Sequence, residues 1–245
     1  MEPPPFFSLP LPTFFLFFTT IYFLGYFVIF RNWNATTRPQ ASSCFLSLSH
    51  GTPAVVLSTL SLLQKTPKTH FNFASPNTPL QNLTLDYSTA YFLVDLLHYL
   101  LFVPTDHLFI AHHAATLYVF LTCRYAVNHG AYPLLVLLVL AEVTSACQNT
   151  WTLAGFRREE SPAAAAVYGF LSPVFYSVYT VVRGVLGPAF VWEMGVFYLR
   201  GGGDGAIPTW VWGSWMVVIV SAILVSDLWV WNRWVDWCTQ RRKKD

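Results

Sequence analysis

The sequence predicts an all-α polytopic transmembrane bundle of about seven helices, six of which form a barrel around a polar cavity open to the cytoplasm. Of the 245 residues, 54% are hydrophobic and only 11% are charged, whereas a soluble domain carries roughly 25% charged residues. Mean hydropathy is +0.45. A helix needs about 20 apolar residues to cross hydrocarbon. Seven stretches approach that requirement: 13–30, 44–63, 86–103, 108–128, 131–153, 174–198 and 208–232.

The first four predicted spans follow one another closely. Span 13–30 lacks a basic leading region and a small-residue cleavage site, so we expect it to be retained rather than removed as a signal peptide. Serines and a histidine dilute span 44–63. Residues 104–107, Pro-Thr-Asp-His, form a plausible turn between the third and fourth spans because proline and aspartate favour turns.

The segment 163–199 is longer than one span needs and contains Pro173 and Pro188. Cytoplasmic loops carry excess Lys and Arg. The basic clusters 157–158 and 241–244 can both be cytoplasmic only if an even number of spans separates them. We therefore predict one span kinked near Pro188, with an interfacial lead-in before Pro173, followed by the last span.

This topology predicts three segments. Residues 1–43 hold the N-terminal transmembrane helix and a cytoplasmic loop, residues 44–235 the six-helix domain, and residues 236–245 a basic cytoplasmic tail. We place residues by depth in the membrane from a helical rise of about 1.5 Å per residue. On this measure, each of the six spans of the central domain carries polar residues in its cytoplasmic half. Span 13–30 contributes no residue to this layer.

Two adjacent histidines, His112 and His113, lie inside the apolar fourth span. Ionisable groups in hydrocarbon are costly and mark a site by default. Adjacent helical residues point about 100° apart, so one ring can face a cavity while the other bonds a neighbouring helix. Thr116 is within reach of either ring.

Other polar residues share helix faces with this layer at spacings of three, four or seven. The catalytic candidates are His112, His113, Asp95 and Glu142. The candidates for binding substrate are His50, His98, Thr116, Ser145, Asn149, Arg183 and Asp227.

Several motifs resemble the TLC-domain family, which includes TRAM proteins, Lag-type ceramide synthases and CLN-type lipid-regulating proteins. The matching features are Ser47-x-x-His50, Tyr91-Phe-Leu-x-Asp95, Asp106, His112-His113-x-x-Thr116, Arg183 and Pro188. The resemblance covers roughly residues 44–235 and implies a six-helix membrane barrel. Residues 141–145, Ala-Glu-Val-Thr-Ser, depart from the His-Asp pair of ceramide synthases. The chain is therefore more similar to the small TLC-domain proteins of lipid homeostasis.

Two functions remain open. The first is acyl-CoA-dependent N- or O-acyl transfer, with His112 or His113 as general base or nucleophile and Asp95 or Glu142 orienting an imidazole. Arg183 would hold a phosphate or carboxylate, or pair with a buried carboxylate. The second is a non-catalytic lipid-binding or lipid-regulating protein in which the same layer joins helices.

The sequence predicts neither a metal site nor a bound cofactor. If the protein is an acyltransferase, acyl-CoA is its expected co-substrate. His107, His112 and His113 resemble one histidine box of a di-iron desaturase, but no second box accompanies them. Expected partners are membrane lipids, acyl-CoA and, as an open alternative, a second copy in a homodimer. The small net charge of +2 gives no reason to expect nucleic acid. We expect a multi-pass protein of the endoplasmic reticulum or another endomembrane.

Overall fold

The computed structural model describes residues 10–64 and 72–242. Within these ranges the chain is helical, and its β structure is one isolated bridge between Pro76 and His129. The predicted all-α class is confirmed. The described part of the chain holds nine α-helices: α1 Pro10–Leu24, α2 Thr37–Leu63, α3 Pro79–Phe102, α4 His107–Leu121, α5 Ala131–Glu142, α6 Ser145–Arg157, α7 Pro162–Val181, α8 Gly187–Leu199 and α9 Thr209–Arg242.

Short π-helical segments and one turn join these helices into seven rods, as predicted. The π segments Gly25–Ile29 and Thr122–Val127 extend α1 and α4, and Val182–Leu186 joins α7 to α8. A two-residue turn, 143–144, separates α5 from α6. Residues 1–9 of the predicted N-terminal segment and 243–245 of the predicted basic tail lie outside the described residues.

Five rods are long and apolar enough to cross a membrane: Pro10–Ile29, Thr37–Leu63, Ala131–Arg157, Pro162–Leu199 and Thr209–Thr239. The two remaining rods hold α3 and α4. Helix α3 is the more polar of the two because it buries a long polar face, which includes Thr84, Asp86, Ser88 and Asp95. The prediction of a multi-pass membrane protein is confirmed, while the side of the membrane that each loop faces stays a prediction.

The sixth rod differs from its predicted form. No break precedes Pro173, which lies inside α7, and the helix runs from Pro162 to Leu199 without a loop. The irregularity is the π segment Val182–Leu186. Pro188 follows it inside the continuous helix, where its missing N–H leaves a carbonyl of the preceding turn without its usual backbone donor. The interfacial lead-in before Pro173 is therefore part of the same continuous helix.

Six rods contact one another in a closed circuit. Helix α2 packs against α3, α3 against α4, and α4 against α9, while α9 packs against the α7–α8 rod. That rod packs against α5 and α6, which return to α2. Helix α1 packs against α3 and α2. The predicted cavity open to the cytoplasm stays a prediction.

The turn between α3 and α4 places the histidine pair beside α3. Asp106 caps α4, and its carboxylate accepts a hydrogen bond from the backbone N–H of Phe109 at 3.2 Å. An aspartate at this position satisfies a backbone donor that the first helical turn leaves free. Because residues 103–106 reverse the chain, α4 runs back along α3 and brings His113 level with Asp95.

Candidate functional site

The candidate site is centred on the hydrogen-bonded pair formed by His113 and Asp95. Both side chains are buried, and His113 Nε2 lies 2.9 Å from Asp95 Oδ2. Ser43 on α2 donates a hydrogen bond to Asp95 Oδ1 at 2.6 Å, and Tyr91 donates to Oδ2 at 3.4 Å. The carboxylate of Asp95 thus joins α2, α3 and α4.

Both ring nitrogens of His113 are engaged. Nδ1 donates to the backbone carbonyl of Phe109 at 2.8 Å, because a carbonyl oxygen can only accept. Nε2 is held by Asp95. A ring bonded at both nitrogens cannot accept a proton or attack a carbonyl unless it first gives up one of these bonds. His113 is therefore a positioning residue in this geometry.

His112 has the opposite environment. Its side chain is exposed, and no hydrogen-bond partner for its ring lies in 10–64 or 72–242. The ring stands at 89° to the ring of His113, with centroids 5.5 Å apart, and lies within electrostatic range of Arg183. One half of the expected division is seen in the structure, because His113 bonds the neighbouring helix; that the ring of His112 faces a cavity stays a prediction.

A second polar cluster surrounds His50, which is fully buried. Its ring stacks on Tyr91, with centroids 3.9 Å apart and planes 5° from parallel. Nε2 shares a hydrogen bond with Ser88 at 3.1 Å, and Nδ1 lies 3.8 Å from Glu142 Oε2. Ser145 donates to that same oxygen at 2.6 Å. Since Tyr91 also bonds Asp95, the two clusters are continuous.

A hydrogen bond between His98 and the first rod contradicts one expectation. We expected no contribution from span 13–30 to the polar layer, but the Tyr22 hydroxyl lies 3.0 Å from His98 Nδ1. Phe18, one turn earlier, is fully buried and its ring centroid lies 6.0 Å from that of His50. A tyrosine in a phenylalanine-rich span gives no sequence signal that distinguishes it from apolar packing.

Two predicted binding residues bond to the protein itself. The Thr116 hydroxyl donates to the carbonyl of His112 at 2.8 Å rather than to either imidazole, because a helical threonine can reach the carbonyl four residues earlier. Asn149 donates to Ser47 Oγ and to the carbonyl of Ser145, both at 2.9 Å. The bond from Asn149 to Ser47 joins α6 to α2.

Arg183 forms no ion pair within 4.0 Å with Asp227 or Glu142 in the described parts of the chain. It donates to the carbonyl of Ala141 at 2.6 Å, one residue before Glu142. The expected pairing of Arg183 with Asp227 or Glu142 is thus not seen as a direct contact, and a role for Arg183 in binding stays a prediction.

A buried ion pair that the sequence analysis did not single out lies outside this polar layer. Asp86, which is 1% exposed, accepts hydrogen bonds from Arg124 Nε at 3.1 Å and from Tyr125 at 2.8 Å. It pins the end of the fourth rod to α3. Among the described residues, no group of three or more His, Cys, Asp or Glu side chains has the geometry to hold a metal ion.

Comparison with known proteins agrees with this architecture. A family model for the TLC domain matches residues 40–235. The TLC domain-containing protein At5g14285 of Arabidopsis thaliana is 55% identical over 238 residues, which covers 96% of this chain and 92% of that protein. No solved structure matches the chain with significance. The chain therefore belongs to the TLC-domain family.

Proposed function

We propose that this TLC-domain protein transfers an acyl group from acyl-CoA to a lipid amine or hydroxyl, with His112 as the reactive residue. The observation that carries the proposal is the contrast within the histidine pair. His112 is exposed and has an unbonded ring, whereas His113 is buried and bonded at both nitrogens. A free imidazole held against a fixed neighbour is suited to proton transfer or nucleophilic attack.

The chemistry takes one of two forms. As a nucleophile, a ring nitrogen of His112 would attack the thioester carbonyl, form an acyl-imidazole and release the CoA thiol. The acceptor would then take the acyl group. As a general base, His112 would remove the acceptor's proton while the acceptor attacks the thioester directly. In both forms Asp95 and His113 would fix the start of α4, and hence the position of His112.

A second candidate is a non-catalytic lipid-binding or lipid-regulating protein. It is favoured by the continuous network in which Asp95 joins α2, α3 and α4, and Glu142 links a fourth helix, α5, to His50 on α2. Interhelical hydrogen bonds of this kind are common in membrane bundles without any catalysis. For either function we propose that the protein acts in the endoplasmic reticulum or another endomembrane.

Turnover and covalent labelling test the proposal. The full chain in nanodiscs would receive radiolabelled acyl-CoA with amine or lysolipid acceptors. His112→Ala should lower turnover by about 10²-fold or more, the typical range of general acid–base catalysis. The matched control is His107→Ala, which removes another exposed histidine from the same helix and should leave turnover unchanged.

The same assay separates the alternatives. Acyl label on His112 that is absent from His112→Ala supports the nucleophilic form, and lost turnover without label supports the general base. Turnover that survives His112→Ala contradicts the proposal. If the wild-type chain neither turns over nor takes up label, yet its deletion alters cellular lipid composition, the non-catalytic function is the better account.

A further inference from the structure

A groove of about 350 Å³ lies between three rods near the end of α6. This volume is at the small end of the range for ligand pockets, about 300–1,000 Å³. The end of the first rod and the loop after it form one wall, α6 forms the second, and the start of α7 forms the third. The lining includes Phe30, Trp33, Leu153, Arg157, Ala164 and Val167.

The groove is long, narrow and mostly apolar. On α6 its lining extends from Thr150 to Arg157, which is about 10 Å of helical rise. Ala164 on α7 has no side chain beyond Cβ, so it leaves space that a larger residue would fill. Arg157 is the last residue of α6 and places a positive charge at one end of the groove. This shape suits one acyl chain whose head group lies beside the arginine.

Two neighbours hold the Arg157 side chain in place. Its Nε lies 2.8 Å from Glu160 Oε2, and its guanidinium carbon lies 5.3 Å from the ring centroid of Trp33. The side chain is still 42% exposed. Arg157 is therefore both fixed in position and accessible to a head group, and tryptophan at this level is typical of the boundary between hydrocarbon and water.

The segments at this end of the groove carry more positive than negative charge. Residues 30–38 contain Arg31 and Arg38, and residues 157–160 contain two arginines and two glutamates. Arg38 donates to the backbone carbonyl of Trp33 at 2.9 Å, which places its charge beside the groove. Basic pockets between transmembrane helices bind anionic lipid head groups. The excess of positive charge therefore favours a ligand with net negative charge.

We propose that this groove binds an anionic diacyl phospholipid. One acyl chain would lie along α6, between the first rod and α7. The phosphate would accept hydrogen bonds from Arg157, because a planar guanidinium matches phosphate oxygens. A soluble anion would leave the apolar walls without a partner, so the lipid is the better fit to the whole groove. The lining residues are separate from the polar layer around His112, and binding requires no turnover there.

Native mass spectrometry on the full chain measures this binding. The protein would be released from nanodiscs that contain equal amounts of phosphatidylglycerol and phosphatidylcholine. Retained phosphatidylglycerol should exceed phosphatidylcholine by roughly tenfold, as attraction by the excess basic residues implies. Excess soluble glycerol phosphate should leave the retained lipid in place. Displacement by that soluble ester would show a site for the phosphate alone and would contradict lipid binding.

Removing one charge tests the head-group end. Arg157→Gln should lower the preference for phosphatidylglycerol about fivefold, which is the factor that about 1 kcal/mol per basic residue gives. The matched control is Arg233→Gln. Arg233 is 38% exposed, pairs with Asp236 at 3.0 Å and lies 5.9 Å from the ring centroid of Trp229, yet it is not part of the groove lining. The preference should be unchanged in this control.

Filling the groove tests the acyl-chain end without changing any charge. Ala164→Leu places a larger side chain in the lining and should lower retention of phosphatidylglycerol about fivefold or more, as overpacking implies. The control is Ala165→Leu, which makes the same change at the next residue of α7. Ala165 is exposed and is not part of the groove lining, so retention should be unchanged.

Three results would overturn the inference. The first is equal retention of the two lipids by the wild-type chain, a measurement that does not depend on whether a variant folds. The second is a preference for phosphatidylglycerol that persists in both Arg157→Gln and Ala164→Leu. The third is a wild-type chain released as a lipid-free dimer, which would assign the groove to a second copy. These measurements contain no acyl-CoA, so a failure here differs from a failure of the proposed acyl transfer.

Discussion

Replacing Asp95 by alanine should destabilise the bundle far more than replacing His112. Asp95 is 3% exposed and accepts hydrogen bonds from Ser43, His113 and Tyr91. Removing one member of a buried pair leaves the other uncompensated and costs about 3–5 kcal/mol. Asp95→Asn keeps the shape of the side chain and one acceptor oxygen. It should lower the free energy of unfolding by about 1–2 kcal/mol, because hydrogen bonds to a charged group become bonds to a neutral one. His112→Ala removes no hydrogen bond of the ring and should stay within about 0.5 kcal/mol.

The free energy of unfolding in mixed micelles of mild detergent and sodium dodecyl sulfate measures these differences. Circular dichroism would follow the helix content at each micelle composition. The expected order of loss is Asp95→Ala, then Asp95→Asn, then His112→Ala. A cost below about 1 kcal/mol for Asp95→Ala, well under the range for a broken buried pair, would refute the reasoning. So would a cost for His112→Ala that equals that of Asp95→Ala.

Two further predictions concern the packing around the polar layer. Gly51→Ala should cost about 1–3 kcal/mol, the usual range for overpacking, because the new Cβ atom would lie 2.9 Å from Glu142 Oε2. The control is Gly169→Ala, whose Cβ atom would have no atom within 4 Å. Equal thermal stability of the two variants would contradict the predicted cost at Gly51. Tyr22→Phe should cost about 1 kcal/mol in micelle unfolding by removing the hydroxyl that bonds His98, and an unchanged unfolding free energy would count against that hydrogen bond.

The rods were predictable because hydrocarbon sets their length. Runs of apolar residues predicted seven rods and placed most of their ends within about seven residues. The exceptions are the start of the sixth rod, predicted at residue 174 but found at Pro162, and the end of the last rod, predicted at residue 232 but found at Arg242. The form of the sixth rod was not predictable, because a proline within a helix can either break it or be accommodated by its neighbours. Pro173 and Pro188 look alike in the sequence, yet the regular helix continues through the first and only the second follows a π segment.

Several residues of the polar layer could be predicted from the sequence, but the hydrogen bonds between them could not. Helical spacing identified the shared faces of α3 and of α5–α6, and Asp95 and Glu142 are indeed buried there. Which histidine points inward depends on the rotation of α4 about its axis, and adjacent residues give no information on that rotation. Ser43 was missed because it lies one residue before the predicted start of the second span, in a polar run that was predicted to belong to a cytoplasmic loop.

The two adjacent histidines differ in availability, because the ring of His112 is unbonded and that of His113 is held by Asp95. Histidine carbethoxylation by diethylpyrocarbonate, mapped by peptide mass spectrometry on the full chain in nanodiscs, tests this difference without any substrate. We expect rapid modification of His112 and protection of His113, with the protection lost in Asp95→Ala. Modification of His113 at the same rate as His112 in the wild-type chain would contradict it.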